Sequence, residues 1–190
     1  MSAIIINMSP EYALVATDTL VVKLPDYRPD GFTEKARLWP AAKMIVAGTG
    51  LAGFSDHWLD WLMSSAPVAA DIEAVDKMAP ETLLEMYRGC DQQTTIYHIG
   101  VAADGLIKGF RYSSVELFSS QPIPCGQTAK PAAGAEPNPA NPRDVMQVMR
   151  DQKALQDSLP ANQRVYIGGQ MYVVDLNPDG TSQSGYVDIF

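Results

Sequence analysis

Apolar positions in this chain come in short runs closed by turn residues, and this pattern sets the elements to expect. Ala3 to Met8, Tyr12 to Ala16 and Leu20 to Leu24 are three such runs. Each is too short for a helix and rich in Ile and Val, so each reads as a strand. Ser9-Pro10-Glu11 separates the first two: Pro presets φ, and Ser competes for backbone hydrogen bonds. Pro25 to Gly31 reads as a loop, and Lys43 to Ala47 as a further strand ending in Gly48-Thr49-Gly50. Helical spacing then takes over. Ser55 would cap a helix carrying Trp58, Leu59, Leu62 and Met63 on one face. Pro80 suits the first turn of a second helix, with Leu83, Leu84 and Tyr87 inward and Gly89 as its stop. Val68 to Met78 fits neither period cleanly.

Strands return at Thr95 to Ala102 and Leu106 to Tyr112, where Ala103-Asp104-Gly105 is a hairpin signal. Gln121 to Pro142 reads as a Pro-rich loop, long enough to be functional. Arg143 to Leu159 is helical, with Val145, Met149 and Leu155 toward the core. A closing hairpin joins Gln170 to Leu176 with Gly185 to Phe190 through Asn177-Pro178-Asp179-Gly180. Blocks of strands alternating with blocks of helices imply an α+β fold, with antiparallel sheet and helices packed outside it.

Composition narrows the function. At 190 residues one domain spanning 1–190 is expected, with a core large enough to need no disulfide or metal staple. A net charge of −8 disfavours nucleic acid or an anionic membrane surface as the main partner. No apolar run approaches the ~20 residues of a membrane helix, and the start lacks the basic leader of a signal peptide. A soluble, cytoplasmic protein is therefore expected. Cys90 and Cys125 are too few for a Cys-based zinc site, and each reads as structural, Cys125 being the more exposed. His57 and His98 lack metal-ligand spacing, and His57 falls off its helix's apolar face. Trp58 and Trp61 read as core or interface. Gly48-Thr49-Gly50 lacks phosphate-loop spacing, so nucleotide binding is not expected.

Four features of the first fifty residues form a constellation. Ser2 follows Met1, so removal of Met1 would give it a free α-amino group. Asp18 ends the second strand, Lys35 precedes a later strand, and Gly48 sits where strand turns into helix. A Ser hydroxyl needs a base, and an α-amino group of pKa near ~7.7–8.0 can be one at neutral pH. A buried Lys35 would lower that pKa, Asp18 would hold the lysine, and N–H groups around Gly48 could hold an oxyanion.

Ser-Ala-Ile-Ile-Ile, Ala-Leu-Val-Ala-Thr-Asp, Thr-Glu-Lys-Ala-Arg-Leu and Met-Ile-Val-Ala-Gly-Thr-Gly-Leu-Ala-Gly-Phe-Ser-Asp together resemble the proteasome β-subunit family of N-terminal nucleophile hydrolases. The resemblance covers the first third of the chain, with an echo at Gly168-Gly169. It implies a four-layer αββα sandwich of antiparallel sheets. It also implies peptide-bond hydrolysis by Ser2 with Asp18 and Lys35, Gly48 as oxyanion hole, and no cofactor. The partners it implies are a homo-oligomeric ring or related assembly, a polypeptide substrate and an ATPase unfoldase. Ser2 replaces the family's usual Thr. Aligned on the glycine pair, Arg164 and Ile167 replace an Asp and a Ser that support the amino terminus. An inactive, self-assembling subunit of the same fold is thus the alternative, and docking of a partner by the Pro-rich loop a third.

Overall fold

The computed structural model describes residues 2–23, 25–66, 70–134 and 143–190. One sheet contains β1 (Ile4–Ser9), β2 (Tyr12–Asp18), β10 (Gly126–Lys130), β11 (Met171–Leu176) and β12 (Ser184–Val187), in the order β10-β1-β2-β11-β12. The other contains β5 (Ala36–Trp39), β6 (Met44–Thr49), β7 (Thr95–Val101), β8 (Ile107–Ser113) and β9 (Ser120–Pro122), paired in chain order. A hairpin of β3 (Leu20–Lys23) and β4 (Arg28–Phe32) stands apart, and every pairing is antiparallel.

Three apolar clusters set the layers. Ile4, Ile6, Val15, Ile45, Ala47 and Ile99 meet between the two sheets. Met44, Val46 and Ile96, on the opposite face of the second sheet, pack on α1 (Phe54–Ser65) and α2 (Ile72–Met86). Ala3, Ile5 and Ala16, on the outer face of the first sheet, pack on α3 (Val145–Asp157). The result is an α+β fold of four layers, αββα, as expected. Because central strands are covered on both faces, β1 and β6 read as nearly unbroken apolar runs rather than alternating ones.

The structure corrects several boundaries. The expected loop at 25–31 contains most of β4, whose exposed residues owe their strand to pairing with β3 rather than to a buried face. The strand after Lys35 is two strands, split by a 3-10 turn at Pro40–Ala42. Gly53, not Ser55, caps α1, and Met63 is exposed, since the inward stripe is Phe54, Trp58, Leu59 and Leu62. α2 starts eight residues before Pro80, capped by Asp71 Oδ1, which accepts the Ala74 N–H at 2.8 Å. Pro80 lies inside this helix, Leu83 is buried and Leu84 is exposed. In α3, Val148, Met149, Gln152 and Gln156 point inward, and Leu155 is exposed.

The Pro-rich loop is interrupted by β10, which becomes a strand by adding to the edge of β1. Its positions 135–142, like Met1, Leu24 and 67–69, lie outside the described residues. Among the described residues no helix is long and apolar enough to cross a membrane.

Candidate functional site

The strand ladder builds the corner that holds Ser2. β1 and β2 pair with Ile4 opposite Thr17, which brings Asp18 alongside Ala3 just beyond the end of β1. Asp18 is fully buried. Its Oδ1 accepts the Ala3 N–H at 2.9 Å and Lys35 Nζ at 2.9 Å, and its Oδ2 accepts the Gly168 N–H at 3.4 Å. Lys35, immediately ahead of β5, also donates to the Leu20 carbonyl at 2.7 Å. One buried carboxylate therefore ties together the start of β1, the entry to β5 and the segment before β11.

Burial dominates the titration of this pair. It pushes the Asp18 carboxyl up and the Lys35 ammonium down, and the attraction between the two opposes both shifts. An ammonium has three N–H donors. Two are used, and the third has no acceptor among the described residues.

Ser2 and Lys35 line a cleft of about 400 Å³ that also takes in Val21 and Val22 of β3, Gly48 and Gly50. A second cavity of about 210 Å³ shares Ser2, Gly50 and Gln93 and is otherwise walled by Thr49, Lys130, Pro131 and Val165. Ser2 thus stands between two cavities. Gln152 and Gln156 of α3 frame the second one: Gln152 donates to the Pro131 carbonyl, and Gln156 Oε1 accepts the Val165 N–H at 2.7 Å.

The structure brings Ser2, Asp18 and Lys35 together, but Gly48 does not offer what was expected of it. Its N–H already donates to the Lys35 carbonyl at 2.9 Å, because the β5–β6 pairing runs one residue further than a free donor would need. Gly48 is required for space instead: a Cβ there would lie 2.6 Å from Ser55 Cβ. Gly50, with φ +110°, carries an N–H that has no acceptor among the described residues.

Sequence reasoning missed Lys130, which donates to Thr95 Oγ1 at 2.8 Å and whose ammonium is shifted down by burial and then by Arg111. It reaches the site only through β10, which sets it opposite Ile4, and no local pattern signals that pairing. The stacked rings of Tyr27 and Tyr166, 5.1 Å apart, were missed for the same reason. Arg164 lines the Ser2 cleft, whereas Ile167 is buried in the apolar cluster under α3. The other polar residues weighed in the sequence lie elsewhere: His57 is exposed, His98 is buried against Trp58, Cys90 is half-buried and Cys125 exposed. Among the described residues no group of three or more His, Cys, Asp or Glu is placed to hold a metal ion.

No family model matches the chain, and no curated protein matches it. Solved structures do. Anbu (ancestral beta-subunit) from Yersinia bercovieri is 12% identical, with a TM-score of 0.69 over 99% of this chain and 88% of that one. An Anbu (Gly-1) mutant from Hyphomicrobium sp. strain MC1 is 10% identical, with a TM-score of 0.72 over the same shares. These findings correct the expected family. The fold is proteasome-like and related to that of the N-terminal nucleophile hydrolases, but the similar structures are Anbu proteins, a family distinct from proteasome β-subunits. At this identity the likeness speaks for the fold alone. The matching segments misled because a strand closed by Asp and a glycine turn into the first helix are demands of the shared sandwich, not marks of one family.

Proposed function

We propose that the chain is an amide-bond hydrolase acting on polypeptides, with Ser2 as N-terminal nucleophile once Met1 is removed. The observation that carries this reading is the buried Asp18–Lys35 pair beside Ser2, on a shared open cleft, with one lysine N–H that has no acceptor among the described residues. The freed α-amino group takes the Ser2 hydroxyl proton as Oγ attacks the carbonyl. The Lys35 charge favours the neutral amine and the developing alkoxide. The proton then passes to the leaving amine, and water resolves the ester on Ser2 by the same route. Gly50, with its unengaged N–H, is the better placed oxyanion donor. No cofactor takes part.

A single unit over 1–190 is supported by the 99% coverage in the similar structures. Their description as an ancestral beta-subunit supports a homo-oligomeric assembly, which an ATPase unfoldase would supply with substrate. Two cysteines left as free thiols fit a cytoplasmic setting.

The alternative, an inactive self-assembling subunit, draws on Ile167 and Arg164 standing where the amino terminus would find support, and on the engaged N–H of Gly48. Intact mass decides between them. Loss of Met1 and addition of one peptide β-lactone equivalent at Ser2, absent in Ser2→Ala, is the expected result. Retained Met1 with no adduct excludes the hydrolase.

A further inference from the structure

We infer that Arg164 is a specificity-determining residue that receives a carboxylate of the substrate beside Ser2, an inference that rests on the hydrolase reading of the cleft. Four charged side chains line this cleft: Glu34, Lys35, Asp56 and Arg164. Three have close partners. Lys35 is held by Asp18 at 2.9 Å, Glu34 accepts from the Tyr186 hydroxyl at 2.7 Å, and Asp56 lies 3.5 Å from Arg37.

Arg164 is different. Its nearest carboxylate among the described residues is Asp157, 3.9 Å from Nη1 and already paired with Lys153. Its Nε is buried and has no acceptor among the described residues. The side chain nevertheless keeps 26% of its surface exposed and lines the cleft, so its outer N–H groups are what a ligand there can meet.

The guanidinium is also positioned. It lies 5.6 Å from the Tyr166 ring, which is itself stacked on Tyr27. An aromatic platform restrains the guanidinium plane, and that plane presents paired N–H groups to the two oxygens of a carboxylate. A substrate carboxylate near Glu34 or Asp56 would be repelled, so the cleft selects where the negative charge falls as well as its presence. The shared chemistry is a carboxylate, from an acidic side chain or from a peptide C-terminus.

Binding to the Ser2→Ala chain tests this without turnover. Three fluorescein-labelled hexapeptides are compared by anisotropy: one with Glu and an amidated end, one with Gln and a free C-terminal carboxylate, and one with Gln and an amidated end. One of the first two should bind about tenfold tighter than the third, which also identifies the source of the carboxylate. Arg164→Gln should abolish that preference, and Arg164→Lys should keep part of it. Equal binding of all three, including none, overturns the inference, as does a preference that survives in an Arg164→Gln chain with an unchanged melting temperature. Failure of Ser2 labelling with the carboxylate preference intact would instead sink the hydrolase reading and leave Arg164 as a carboxylate site.

Discussion

Two polar clusters lie inside this sandwich, and they have opposite characters. At the cleft, Asp18 and Lys35 form an ion pair whose mutual attraction works against the shifts that burial imposes, and the lysine has a third donor with no acceptor among the described residues, beside an open cavity. Between the second sheet and its helices, Trp58 Nε1 donates to His98 Nε2 at 2.7 Å. The His98 ring packs 4.8 Å from Tyr112, whose hydroxyl donates to Asp76 at 2.7 Å. Here burial drives groups to their neutral forms, taking His98 down to about 3 and the Tyr112 phenol well up. His98 and Tyr112 are fully buried and line neither of the two cavities at Ser2, so they serve packing. Polar burial alone therefore does not mark a site; a paired charge with an unused donor facing a cavity does.

Four measurements test the comparison. The largest effect is expected for Lys35→Met, which strands the Asp18 carboxylate. Loss of one partner of a buried pair costs about 3–5 kcal/mol, read by urea denaturation, and Ser2 labelling should vanish with it. In the wild type, labelling should rise as the α-amino group loses its proton and fall at alkaline pH. That fall should begin below 10.5, because burial lowers the Lys35 pKa from that ordinary value.

The buried His98 should answer acid instead. His98 is neutral in the folded chain down to about pH 3, while in the unfolded chain it takes up a proton below its ordinary 6.5. The unfolded state then binds more protons, so stability is complete above 6.5 and declines toward 3, on the order of 1 kcal/mol per pH unit. The difference between wild type and His98→Gln in denaturation midpoints across that range isolates this term; parallel curves would disprove it. Smallest of all is Met63→Lys, where the side chain is 57% exposed. A change within about 0.5 kcal/mol is expected, with labelling unaltered.

What could be read in the sequence was what is local. The Asp104-Gly105 hairpin, the paired runs of β1 and β2 and the apolar stripe of α1 each depend on neighbours a few residues apart. β4 and β10 do not. Arg28-Pro29-Asp30-Gly31-Phe32 has no apolar alternation, and Gly126 to Lys130 becomes a strand only by meeting β1 across more than a hundred residues. The same division runs through the site. Ser2, Asp18 and Lys35 were recognisable by residue type and order. The engaged N–H of Gly48, the arrival of Lys130 and the place of Arg164 on the cleft follow from register and loop docking, which no single stretch encodes.

Gly48 has one more consequence. An alanine methyl at that position would fall 2.6 Å from Cβ and 2.8 Å from Oγ of Ser55, well inside normal contact distance. Strand and helix therefore meet with no slack at the floor of the cleft. The cleft's dimensions cannot be tuned there by enlarging a side chain; they change only if the first turn of α1 is displaced as a body, carrying Asp56 and the wall beyond it. Variation in the cleft's dimensions must accordingly come from its rim, where the turn between β3 and β4 meets the Arg164–Tyr166 segment through the stacked Tyr27 and Tyr166 rings.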